Sequence, residues 1–219
     1  MRALVDEIRA GLRAAADPAR AQGQQAYMKS EMPFLGVTVP DARRIARAAA
    51  KGVTDAGVLR AAARTLWDEA SHREERYAAE ALLATKPVDG HLAAVPLIEH
   101  MVRTGRWWDF TDELAHRVAA LHDRHPTDTA ALARGWSTDS DLWMRRLAIL
   151  SQLGRGARLD RDLLADLLEP NLADAEFFIR KAIGWALREC ARVDPEWVRE
   201  YAASHALSPL SRREALKHL

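Results

Sequence analysis

Apolar residues recur along the chain at every third or fourth position and almost nowhere alternate, which is the pattern of amphipathic helices rather than strands. Helices are expected over roughly residues 2–14, 18–28, 40–51, 55–68, 73–86, 91–103, 107–123, 127–136, 139–153, 160–168, 174–193, 195–204 and 209–218. Their starts are marked by Asp17-Pro18, Val39-Pro40-Asp41, Thr54-Asp55, Thr138-Asp139, Asp174 and Asp194-Pro195. There a short polar side chain can accept a free N–H, or a proline presets φ. No segment reads as a strand. Short helices in series imply stacked hairpins, so the expected fold class is all-α and the expected architecture an α-solenoid.

Basic clusters add a second periodicity. Arg43/Arg44/Arg47, Arg73/Arg76, Arg103/Arg106, Arg145/Arg146, Arg180/Lys181 and Arg212/Arg213/Lys217 follow one another at steps of roughly 30–40 residues, the length of a two-helix repeat. A solenoid that sets each cluster on the same side would carry a basic, concave face for a polyanion. Solvated helix faces in an arginine-rich chain account for the same clusters equally well.

With 219 residues and 48% hydrophobic content, the chain can bury a core without disulfides or metals, and residues 1–219 read most simply as one domain. A lone cysteine, Cys190, cannot form an internal disulfide. His72, His91, His100, His116, His122, His125, His205 and His218 show no metal-ligand pairing and read as surface or cap residues. No metal and no cofactor is expected. Charges within residues 1–18 and the lack of a long apolar run argue against a signal peptide or membrane span, and a cytoplasmic, monomeric protein is expected. The formal net charge is only +1, from 32 Lys+Arg against 31 Asp+Glu, which speaks against indiscriminate nucleic-acid binding.

Three helices carry residues that their wheels do not absorb. In RWWDFTDELAHRVAALHDRHP, Trp107, Phe110, Leu114, Val118 and Leu121 share the core stripe, whereas Trp108 and Asp112 lie one turn apart with Ala115, His116 and Ala119. Those small residues would leave room beside the pair for a cationic ligand, attracted by the indole face and the carboxylate. Packing of Trp108 against a neighbouring helix, with Asp112 on a local arginine, is the alternative. In DSDLWMRRLAILSQL, Arg146 is centred on the apolar stripe of Leu142, Trp143, Ile149, Leu150 and Leu153. It must either meet a carboxylate or project into a concave, functional surface, while Arg145 reads as solvated. In DAEFFIRKAIGWALRECARV, Ile179, Ala182, Ile183, Ala186, Leu187, Cys190 and Val193 form the core side, and Trp185 faces away with Phe178, Lys181, Arg188 and Glu189. Aromatics among cations suit contact with bases and sugar–phosphate.

The segments QAYMKSEMPFLGVTVPDARR, WDEASHREERYAAEALL, RWWDFTDELA, LWMRRLAILSQL, FFIRKAIGWALRECARVDPEWVREY and LSPLSRREALKHL closely resemble the AlkD-like DNA alkylation repair glycosylases. The resemblance runs through essentially the whole chain. It implies HEAT-like helical repeats wrapped around duplex DNA and hydrolysis of the N-glycosidic bond of cationic alkylated purines. Trp108 and Asp112 match the family's W-x-x-x-D pair, Arg146 its active-site arginine, and Trp185 its second site tryptophan. DNA contacts are expected at Tyr27, Lys29, Thr38, Arg43, Arg44, Arg73, Arg106, Lys181, Arg188, Arg212, Arg213 and Lys217. In the turn after PFLG, Val37, Thr38 and Val39 stand where family members carry a longer polar side chain, which bears on contact with the opposite strand.

On this reading Asp112 stabilises positive charge on the sugar and handles the attacking water, Trp108 and Trp185 offer their π faces, and Arg146 holds a phosphate or helps position the water. The partner is double-stranded DNA with alkylated bases. The competing readings are a helical-repeat protein that binds DNA structures without cutting the glycosidic bond, and a scaffold for protein partners.

Overall fold

The computed structural model describes all 219 residues and contains thirteen α-helices and no strand. The chain forms two compact units, Met1–Asp89 and Gly90–Leu219. The first holds α1 (Arg2–Ala14), α2 (Pro18–Met28), α3 (Val39–Ala49), α4 (Ala56–Asp68) and α5 (Arg73–Leu83). The second holds α6 (Val95–Gly105), α7 (Trp108–Arg124), α8 (Pro126–Ser137), α9 (Leu142–Leu150), α10 (Arg161–Leu168), α11 (Phe177–Ala191), α12 (Pro195–Ser204) and α13 (Pro209–Ala215). No helix is long and apolar enough to cross a membrane.

Side-chain capping explains most boundaries. Asp17, Thr38, Asp55, Asp141, Asp160, Asp194 and Ser208 each accept a backbone N–H from the first turn of the helix they precede. Each such cap stabilises its helix by about 1 kcal/mol. Two expected starts move inward. The cap of α9 is Asp141 rather than Asp139, whose carboxylate is taken by Arg103 and by the Asp141 N–H. That of α11 is Glu176, because Asp174 accepts the Glu176 N–H and pairs with Arg145.

In the first unit α1, α3 and α5 pack in succession, and α4 lies against α1 and α5. The segment joining α2 to α3 is tied down by Glu74 of α5. Its fully buried carboxylate accepts the N–H groups of Leu35, Gly36 and Val37 at 2.9–3.1 Å. Three donors offset much of the cost of burying the charge. Gly36 has φ +86°, and a Cβ there would lie 1.9 Å from the Asp17 carbonyl oxygen, so no other residue fits.

In the second unit α7, α9, α11 and α13 form a row in which each helix packs on the next. On its other side, α8 packs on α7 and α9, α10 on α8 and α9, and α12 on α11 and α13. The row is close-packed: Phe110, Leu114, Ala115 and Val118 of α7, Leu147 and Ala148 of α9, and Ile179, Ala182 and Leu187 of α11 are all fully buried. Val193, expected in the core, is exposed because α11 ends at Ala191. Of the six basic clusters, five fall on α3, α5, α9, α11 and α13 or just beyond, and the sixth closes α6. The step between clusters is two helices from α3 to α5 and from α9 through α11 to α13, but one from α5 to α6 and three from α6 to α9.

Candidate active site

Of the residues singled out on α7, α9 and α11, Asp112, Arg146 and Trp185 come together along this row, and Trp108 begins α7 one turn before Asp112. Helix α7 starts from Trp107 in an extended conformation, and its first turn carries Asp109, whose charge suits the helix N-terminus. Trp108 therefore begins the helix and Asp112 follows one turn on. Arg146, at the centre of α9, is 1% exposed and reaches across to α7. Its Nε and Nη2 donate to the two carboxylate oxygens of Asp112, each at 2.8 Å, and its Nη1 donates to the Phe178 carbonyl at 2.6 Å. All three guanidinium nitrogens are thus engaged, and the α7–α9–α11 seam is held by one side chain. A bidentate arginine fixes the plane of a carboxylate as a lysine could not.

This geometry corrects the expectation that Arg146 holds a phosphate. Its side chain is enclosed and fully used, so it orients Asp112 instead. Arg145, expected in solvent, pairs with Asp174 at 2.9 Å and donates to the Asp139 and Ser140 carbonyls. Ala115 and Ala119 do not open space beside the pair. They are buried, and their small side chains serve close helix packing. Asp112 keeps 18% of its side-chain surface. Burial pushes its carboxyl above the ordinary range and Asp109 adds to this, while pairing with Arg146 pulls it back.

Trp107 is half-buried and belongs to an aromatic cluster with Trp143 and Phe178, at centroid distances of 6.1 and 5.7 Å. Trp108 is half-buried at the start of α7. Trp185 lies one residue beyond Gly184, whose lack of a side chain lets Glu214 and the Ser211 carbonyl of α13 pack directly on α11. The cations of Arg146, Lys181 and Arg188 stand 5.6, 5.6 and 5.7 Å from its ring centroid. The ring thus faces resident positive charge, which favours a wall and cation platform over a free receptor for another cation. Lys181 and Arg188 both pair with Glu214 of α13. Beside Trp185 a hollow of about 370 Å³ is lined by His116, Leu153, Gly154, Arg188, Glu189 and Arg192. It brings His116, one turn beyond Asp112, to the edge of the site.

The other residues expected to touch DNA have varied surroundings. Arg73 is 6% exposed and donates to Tyr77 and Ser30, a buried structural role that removes it from the candidate contacts. Thr38 caps α3, donating to Asp41 at 2.6 Å. Arg44 is exposed and pairs with Asp41, and Arg43 is half-buried. Arg212 donates to the Ala202 carbonyl at the end of α12. Tyr27, Lys29, Arg106, Arg213 and Lys217 are exposed, Tyr27 to 76%. Lys29 and Arg106 are the two non-glycine residues with positive φ, at +49° and +44°, each closing a helix. Sequence reasoning also missed His122. It is buried against Ser151, with Nε2 at 3.3 Å from Oγ, and burial together with the Arg155 charge pushes it down to about 4. Cys190 is buried and pushed up to about 11, so its thiol stays protonated. No three His, Cys, Asp or Glu side chains converge as a metal site would require.

A row of stacked helices that brings together one oriented carboxylate, Trp185 and a fence of cations defines a helical-repeat protein with a polar site built on its repeats. The chain belongs to the DNA alkylation repair enzyme family, whose model matches residues 8–219. It is similar in structure to a predicted DNA alkylation repair enzyme from Enterococcus faecalis, with a TM-score of 0.83 and 27% identity over 93% of this chain and 96% of that one. It also shares its fold with AlkD2 from Streptococcus mutans, with a TM-score of 0.65 and 16% identity over 90% of this chain and 98% of that one. No curated protein matches the sequence.

Proposed function

We propose that the protein is a monofunctional DNA glycosylase that releases cationic alkylated purines, of the 3-methyladenine and 7-methylguanine type, from duplex DNA. The observation that carries this reading is the Asp112 carboxylate, fixed by a buried bidentate arginine and partly open, one helical turn from the half-buried Trp108. A purine alkylated on a ring nitrogen already carries positive charge, so the leaving group needs no general acid. The C1′–N bond breaks with its electron pair going to the base, which becomes neutral, and positive charge develops on the sugar. Asp112 stabilises that charge and accepts a proton from the water that adds to C1′. Arg146 holds Asp112 in the required orientation. Trp108 supplies a π face near the sugar, and Trp185 walls the site.

The same reading has the lesion remain largely stacked, with catalysis from the backbone side, and has exposed basic residues such as Lys29, Arg106, Arg213 and Lys217 meet phosphates of the duplex. It needs no lysine nucleophile and predicts no strand cleavage. The decisive measurement is release of methylated purine from a defined duplex. The Asp112→Asn variant is expected to lose at least a hundredfold in single-turnover rate and to keep duplex affinity within a few-fold. Excision at the parent rate would remove Asp112 from the mechanism, and duplex binding without any release by the parent protein would point to a non-catalytic DNA-binding role.

A further inference from the structure

The cations around Trp185 converge on one anion. Lys181 and Arg188 stand seven residues apart on α11, about 10 Å along its axis. Both nevertheless turn toward Glu214 on α13. Lys181 Nζ lies 2.9 Å from Oε1 and Arg188 Nη1 donates to Oε2 at 3.0 Å, so each carboxylate oxygen takes one cation. Glu214 is itself 9% exposed, and it reaches this place because of its neighbour on α11. A Cβ on Gly184 would lie 2.5 Å from Glu214 Cβ and 2.9 Å from the Ser211 carbonyl oxygen. Only glycine lets α13 settle this deeply on α11.

We infer that Lys181 and Arg188 form a phosphodiester-binding subsite beside Trp185, which Glu214 occupies as an internal counter-anion in the free protein. The inference rests on the proposal that duplex DNA is the substrate. A phosphodiester presents two anionic oxygens, as the carboxylate does, and can take the same two cations. Arg188 also lines the hollow of about 370 Å³ together with His116, Glu189 and Arg192, which leaves room for a phosphate on the Arg188 side of the pair. The groups facing the two cations are Glu214 from α13 and Trp185 on α11 itself, while Glu189 and Arg192, paired with each other, line the hollow beside Arg188, and Arg146 from α9, matched by Asp112, stands over the same Trp185 ring. Glu214 thus sets the balance of the cluster. With it in place the subsite holds two cations against one anion, enough to attract a phosphate without holding undamaged DNA tightly. Glu214 is a positioning residue and touches no reacting atom.

The test uses the full-length protein, an undamaged duplex for binding and a methylated duplex for excision. Glu214→Gln, which keeps size and removes charge, is expected to tighten undamaged-duplex binding several-fold at low salt. It should also steepen the slope of log affinity against log salt by up to about 0.9, one phosphate contact. Glu214→Asp should keep the parent slope. Lys181→Gln and Arg188→Gln should each flatten it by a similar amount, and either one combined with Glu214→Gln should cancel most of the gain. A folded Glu214→Gln variant with parent affinity and slope overturns the inference. Should that variant not fold, parent slopes in both Lys181→Gln and Arg188→Gln overturn it independently. Excision lost with these binding changes intact would sink the glycosylase reading alone, whereas normal excision with none of these changes would sink this one alone.

Discussion

At the scale of single residues the protein spends charge to set geometry. Arg146 is buried among apolar neighbours and completes its hydrogen bonding through Asp112 and the Phe178 carbonyl. Replacing it by Met should leave the Asp112 carboxylate buried and unpaired, at a cost of roughly 3 kcal/mol. The same change shifts the pH profile. Burial already raises the Asp112 carboxyl and Arg146 opposes that rise, so without Arg146 the acidic limb of excision should move to higher pH. The proposed mechanism requires the ionised form, so on it activity should fall as pH drops through this raised value. A pH–rate profile with its acidic limb unmoved would show that Arg146 does not tune Asp112. Arg106 spends conformation instead. A left-handed backbone costs a residue with a Cβ roughly 1 kcal/mol, and glycine is the usual occupant of such a helix end. Arg106→Gly is therefore expected to raise the melting temperature slightly while weakening duplex binding. Affinity equal to the parent would make Arg106 an ordinary cap. The sequence pointed to both arginines, one as an intruder on an apolar stripe and one beside the Trp pair, but it could not give the partner of the first or the φ of the second.

At the scale of elements the row α7–α9–α11–α13 places chemistry by packing. Each helix contributes charge to these seams: Asp112 from α7, Arg146 from α9, Lys181 and Arg188 from α11, and Glu214 from α13. His122 belongs to the α7–α9 contact and adds a pH dependence to its stability. Its folded value of about 4 lies below the ordinary 6.5, because burial penalises the cation. Above pH 6.5 both folded and unfolded states hold it neutral and it contributes no slope. Between pH 6.5 and 4 the unfolded chain gains a proton that the folded one refuses, so stability falls by up to about 3 kcal/mol and then levels off. Urea unfolding at a series of pH values should show this loss in the parent and not in His122→Gln. An equal acid loss in both proteins would assign it elsewhere. The histidine was read as a surface residue because its wheel position borders the buried arc of α7. That arc proves wider than the apolar stripe, taking in Thr111, Ala115, Ala119 and His122.

For the whole molecule, a net charge of +1 and seven tryptophans described a composition without saying where either was used. Periodicity and capping residues settled the number, type and order of the helices, because both act within a few residues of chain: all thirteen expected helices are present, with ends shifted by a few positions. The same local logic separated Trp108 from Trp107, and Trp185 from the core side of α11. Tertiary structure decided what those residues meet. Salt bridges between α7 and α9 or between α11 and α13 join side chains about 30 residues apart, and nothing in the sequence ranks Asp112 above other carboxylates as the partner of Arg146. Burial also depends on neighbours supplied from elsewhere in the chain. Arg73 and Arg146 were therefore drawn inside, while Arg106, Arg213 and Lys217, of the same composition and the same periodic clusters, stayed on the surface.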